Sequence, residues 1–296
     1  MNIGNFGNFN DFDEEENSEL TEAIRALKRN EIEIKLKSGR EKPAPGASKI
    51  GGKPFLPKNF AWPYFEGESY EDGWGSRPLS FICQINIKDV KRHDKEKLLP
   101  AKGMLYFFYE SASQPWGYDP KDAGCAKVFY YADTEGFEEI AFPDDLNEEF
   151  RLKEAGLKFS AKESYPSYEE FEIYSDLDCD WGEYDEVLEG LGVDTEETEK
   201  SKLLGYANLV QSEMLTECES VSRGIYCGAP EPRTPEEEAS IKEHAKDWVL
   251  LCQIESFEYN GAELMFGDCG LIYFYIKKDD LKKKKFENTW LILQCG

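Results

Sequence analysis

The chain has 296 residues, 40% hydrophobic and 14% aromatic, enough to bury a core without disulfides or metals. Lys and Arg number 35 against 60 Asp and Glu, a formal charge of −25, which repels a phosphate backbone and argues against nucleic acid or an anionic membrane as partner. No apolar run reaches the roughly 20 residues that cross a bilayer, and eight cysteines without a charged-then-apolar leader point to a reducing, cytoplasmic setting.

The first dozen residues read as a polar tail, after which Leu20, Ile24 and Leu27 recur at helical spacing. Glu31 to Lys37, "EIEIKLK", alternates charged and aliphatic residues and predicts a half-buried strand. Proline and glycine punctuate Lys42 to Pro63, so the backbone there is irregular. Short aromatic and β-branched runs then predict strands at "LSFICQINI", "GMLYFFYE", "AKVFYYAD" and "FEEIAF".

Between Asp133 and Lys200, 24 acidic residues face 5 basic ones, so this stretch carries −19 of the −25. Its pattern, in "YEEFEIY", "EYDEVLEGL" and "DTEETEKSKLL", predicts mostly helix packed outside the sheets. Thr234, Pro235 and Glu237 form a capping box opening a helix to about Asp247. Strands resume at "WVLLCQIES", "LIYFYIK" and "TWLILQC". The basic run "KKDDLKKKK", Lys277 to Lys285, is broken by two aspartates and reads as a solvated turn or helix face in preference to a phosphate site.

Three motifs occur twice in one order. Ser48-Lys49-Ile50 precedes Cys83-Gln84-Ile85, and Gly103 to Phe107 begins 19 residues after Gln84; Ser201-Lys202-Leu203 precedes Cys252-Gln253-Ile254, and Gly270 to Phe274 begins 17 residues after Gln253. Such order predicts an internally duplicated, β-rich α+β fold with peripheral helices, the copies burying their apolar faces against each other. Cys83 and Cys252 are then core residues, with Gln84 and Gln253 on the opposite face of their strands. The expected organisation is a tail, helix and strand over 1–47, then a domain over 48–296. That domain comprises repeats at about 48–142 and 201–296, joined by an acidic, largely helical segment at about 143–200.

The blocks "SKIGGKPFLPKNFAWP", "PLSFICQINI", "LPAKGMLYFFY", "QPWGYDPKDAG", "LLGYANLVQSEM", "WVLLCQIES", "MFGDCGLIYFYIKKDDL" and "NTWLILQC" resemble the signature segments of the YwqG-like family, a bacterial domain family of unknown function. The resemblance runs from about Ser48 to Gly296 and implies a β-roll-like fold with an internal repeat. It implies no catalytic residue and no cofactor. Two places depart from the pattern, Ala207 where proline is usual and Cys125-Ala126 where a glycine and an aromatic are expected.

Chemistry-bearing motifs are sparse. The two histidines, His93 and His244, lie in charged, solvated-looking stretches, and there is no G-x-S-x-G elbow or C-x₂-C knuckle. Asp176, Asp178 and Asp180 alternate as calcium ligands do, but Gly182 falls one residue late and Val187 stands where an EF-hand needs Glu; a solvated acidic turn is the better reading. The loop "QPWGYDPKDAG" differs in kind, setting Trp116 and Tyr118 among Gln114, Asp119 and Asp122 between two strands. Gln114, Trp116 and Asp119, with Gln84, Gln253 and Asp268, are the candidate binding residues. The expected function is non-enzymatic binding of a basic protein or a small molecule, with immunity to a basic toxin domain as a special case; the rival is an enzyme using carboxylates in a cleft between the copies.

Overall fold

The computed structural model describes residues 19–38, 41–69, 73–194, 200–229, 232–259 and 262–296. Ten strands form one antiparallel sheet: β1 (Arg29–Leu36), β2 (Lys49–Ile50), β3 (Ser80–Asn86), β4 (Met104–Tyr109), β5 (Ala126–Tyr131), β6 (Ala155–Ser164), β7 (Ser201–Leu204), β8 (Trp248–Glu255), β9 (Leu271–Lys277) and β10 (Trp290–Gln294). Their order across the sheet is β10-β9-β8-β7-β1-β6-β2-β3-β4-β5. The sheet is nearly closed. Phe107 on β4 and Phe274 on β9, near opposite ends of that order, touch with ring centroids 5.1 Å apart.

Both faces are covered, which explains why the central strands read as unbroken hydrophobic runs. The inner core takes Cys83, Ile85, Phe107, Leu251, Cys252 and Phe274. On the outer face, Trp248, Leu250 and Tyr273 pack under Met214, Leu215, Cys218 and Ala245. A third cluster joins the helical residues 19–26 to the helices Tyr168–Tyr174 and Trp181–Gly190 through Ile24, Phe171 and Tyr184. The capping box at Thr234 is present, and its helix runs Pro235–Ala245.

Three expectations are corrected. The acidic middle is not wholly peripheral, because β6 pairs along its length with β1 in the middle of the sheet. Leu157, Phe159 and Ala161 alternate with Lys158, Ser160 and Lys162, a two-residue period hidden by the surrounding acid. The end of "DTEETEKSKLL" is likewise the strand β7 and not a helix, while its residues 195–199 lie outside the described ones. Strand β1, expected to have one solvated face, buries Glu31 and Glu33. Lys202 donates to one Glu31 oxygen at 2.8 Å, and the Lys200 ammonium stands 3.0 Å from the other.

The repeated motifs occupy matching pairings. Lys49 and Ile50 stand across from Gln84 and Cys83, as Lys202 and Leu203 stand across from Gln253 and Cys252. Gln84 pairs with Tyr106 and Gln253 with Tyr273, each strand carrying a bulge just before its cysteine. The side chains follow suit. The Gln84 amide donates to Ala47 O and its carbonyl accepts from Phe55 N, while Tyr106 donates to Phe55 O. The Gln253 amide donates to Lys200 O and its carbonyl accepts from Asn208 N, while Tyr273 donates to Asn208 O. At Gly52 and Gly205, both at positive φ, an added Cβ would sit 2.8 and 2.7 Å from the Cβ of Glu154 and Glu31, so neither position admits a side chain.

Candidate functional site

The loop between β4 and β5 is laid against the free edge of β10. Leu293 N donates to Trp116 O at 2.9 Å, and Trp290 Nε1 donates to Gly117 O at 2.8 Å. The approach is so close that a Cβ on Gly117, whose φ is +88°, would fall 1.9 Å from Leu291 O. Gln114 also has a positive φ, and its carboxamide clamps the loop after β8, donating to Met265 O and accepting from Gly267 N. Buried Glu110 holds the start of the loop by accepting from Ala112 N and Ser113 N, and Arg77 of the Tyr64–Ser69/Gly73–Pro78 hairpin stands 3.5 Å from it.

These fastenings create a cleft of about 540 Å³ between loop and hairpin, with Phe65, Trp74, Trp116, Tyr118 and Tyr226 as its aromatic members and Glu68, Asp119 and Asp122 as its carboxylates against the single cation Lys121. Tyr118 meets Trp116 at 6.4 Å and Tyr226 at 5.7 Å between ring centroids. Trp116 is half-buried against the main core, whereas Trp74 is 71% exposed and Tyr226 44%. Asp119 accepts from Lys121 N and Asp122 from Gly117 N. Burial, with help from the Asp119 charge, pushes the Asp122 carboxyl up despite the Gly117 bond.

Gln114, Trp116 and Asp119 therefore line one cleft. Gln84 and Gln253 do not join them. Both are fully buried, with carboxamides occupied by backbone groups in the sheet, so they offer nothing to an external ligand. Asp268 lies on the exposed turn beyond Gly267 and outside the cleft lining. Asp176 and Asp178 are exposed, and Asp180 caps the helix Trp181–Gly190 by accepting from Glu183 N. Among the described residues no three His, Cys, Asp or Glu side chains gather as a metal site.

Trp74 and Tyr226 were missed from sequence. The available signal was a tryptophan between glycines in "DGWGS", where a large apolar ring has no helical or strand periodicity to carry it into a core. Burial pushes Glu170 and Glu217 up to about 7, yet neither lines this cleft.

A family model described as a domain of unknown function, DUF1963, matches residues 48–295. No curated protein matches the chain.

Proposed function

The chain belongs to the DUF1963 family of domains of unknown function, and from that premise we propose that it is a binding module whose aromatic, acidic cleft takes a basic segment of a partner protein. The observation that carries this reading is the exposure of Trp74 and Tyr226 beside Glu68 and Asp119. Exposed indole and phenol faces attract ammonium and guanidinium groups, and nearby carboxylates add charge complementarity. The −25 charge of the whole chain favours the same class of partner and speeds its encounter. A basic toxin domain is one such partner.

Binding is favoured over catalysis because two of the cleft's carboxylates, Asp119 and Asp122, already accept hydrogen bonds from the backbone of their own loop. The scaffold is read as two copies of one β unit, supported by the matching registers, bulges and Gln–Tyr hydrogen bonds of the two halves. The finer YwqG-like assignment rests on the order of the sequence blocks.

Hydrogen exchange with a short Lys/Arg-rich peptide tests the site. Protection of residues 113–122 and 73–78 on binding is expected. Protection spread over the acidic helices, with none in these segments, would refute the cleft as the site.

A further inference from the structure

A second cavity, of about 750 Å³, opens where β1 starts, β7 ends and the helix Lys278–Lys283 leaves β9. Its charge is opposite to that of the protein. Five cations line it, Arg29, Lys97, Lys278, Lys282 and Lys284, against two carboxylates, Glu96 and Asp279, so the balance is 5 − 2, or +3, in a chain of −25. Asp279 is already paired with Lys283 at 3.2 Å, and Glu96 accepts from Asn30 N. The basic run read from sequence as a solvated face thus forms part of a cavity wall.

Most of the uncharged lining is apolar, with Asn30 the one polar side chain. Leu99, Leu204, Val249, Leu250 and Leu281 all reach it from buried positions. Arg29 is held in place by aromatic rings, its guanidinium carbon 4.1 Å from the Tyr206 centroid and 5.1 Å from that of Tyr174. Lys278 is held by donating to Lys246 O. Burial and the like charge of Arg29 both push the Lys278 ammonium down, a cost that an anion between the two would relieve. The volume lies within the range of small-molecule sites.

We propose that this cavity binds a small organic anion, with an apolar body against Leu99, Leu204 and Leu250 and an acidic head among Arg29, Lys278 and Lys282. The cations are exposed at the rim except Arg29, which is half-buried, so the head group lies towards solvent and the body towards the sheet. This site is independent of the aromatic cleft, with which it shares no lining residue.

The test uses two fluorescent probes with nearly the same rings, anilinonaphthalene sulfonate and neutral N-phenylnaphthylamine. The sulfonate is expected to bind at one saturable site, at least roughly tenfold tighter than the neutral probe. The double variant Lys97→Asn, Lys282→Gln removes two exposed charges; asparagine tolerates the positive φ of Lys97. It should weaken the sulfonate roughly tenfold and leave the neutral probe unchanged. Trp74→Ala should affect neither. Equal affinity for the two probes, or sulfonate binding unmoved by the double variant, overturns the proposal. Displacement by inorganic phosphate at the sulfonate's own affinity overturns the apolar half of it.

Discussion

The ring of Phe107 meets the ring of Phe274 edge to face, 5.1 Å apart and 74° between planes. Each follows the tyrosine that pairs with a Cys-Gln-Ile glutamine, so like positions of the two halves touch across the inner core. Equivalent residues meet in this way where a twofold axis passes between copies. Under the duplication reading, Phe107→Ala and Phe274→Ala should cost similar amounts, roughly 3–5 kcal/mol each. Their double-mutant cycle should show coupling of about 0.5–1.5 kcal/mol. Urea denaturation measures both, and unequal costs without coupling would count against equivalence.

The buried ion pairs repeat too. Lys202 donates to Glu31, and fully buried Lys49 donates to Glu154. Burial alone would raise Glu31, but Lys202 and Lys200 outweigh it and hold the carboxyl below its ordinary range. Lys202→Met leaves that carboxylate short of a partner and should cost roughly 3–5 kcal/mol, while adding Glu31→Leu should recover most of the loss. Failure of the second change to recover stability would show that Lys202 acts through packing alone. Because the folded value of Glu31 is depressed, its contribution is present above the unfolded pKa and is lost as pH falls through the folded one.

Glu170 has the opposite sign. Burial pushes its carboxyl up to about 7, partly offset by the Arg29 guanidinium. A raised carboxyl contributes stability that is fully present below its unfolded value and disappears as pH rises through the folded one, here between about 4.5 and 7. The difference of 7 − 4.5 corresponds to roughly 3 kcal/mol. Glu170→Gln keeps a side-chain acceptor for Ser167 N in the capping box and should flatten the fall in stability over this interval. Melting curves across that range check it, and an unchanged slope would assign the pH dependence to other groups.

Most strands were readable because their aromatic and β-branched runs end in turn residues. The exceptions, β6 and β7, lie in or beside the acidic stretch, whose charge masks their short period. In β1 the strand itself is legible, but charge on its second face reads as solvent exposure unless cross-strand partners such as Lys202 are known. The cleft was half readable. The Gly/Pro-rich loop marked Trp116 and Asp119. Trp74 and Tyr226 reach it from segments remote in sequence, and no local period ties them to it. Gln84 and Gln253 look functional in sequence because a repeated polar residue inside a hydrophobic run stands out; their role is to satisfy buried backbone.

Trp116 and Trp74 should separate by stability. Trp116 rests on the main core, so Trp116→Ala is expected to cost about 2–3 kcal/mol. Trp74 is 71% exposed and its alanine variant should stay within about 0.5 kcal/mol of the parent. Equal losses in urea midpoint would mean that Trp74 also covers core, removing it as a partner anchor.

Under the proposed function, ring faces, and not net charge alone, capture the basic partner. This is tested most directly by the fluorescence anisotropy of a labelled Lys/Arg-rich peptide titrated with the parent protein and with the Trp74→Ala, Tyr226→Ala variant, whose charge is unchanged, at about 0.15 M salt where long-range attraction is screened. A fall in affinity of roughly tenfold in the variant is expected, two exposed cation–π contacts being lost. Equal affinity for parent and variant would contradict the account.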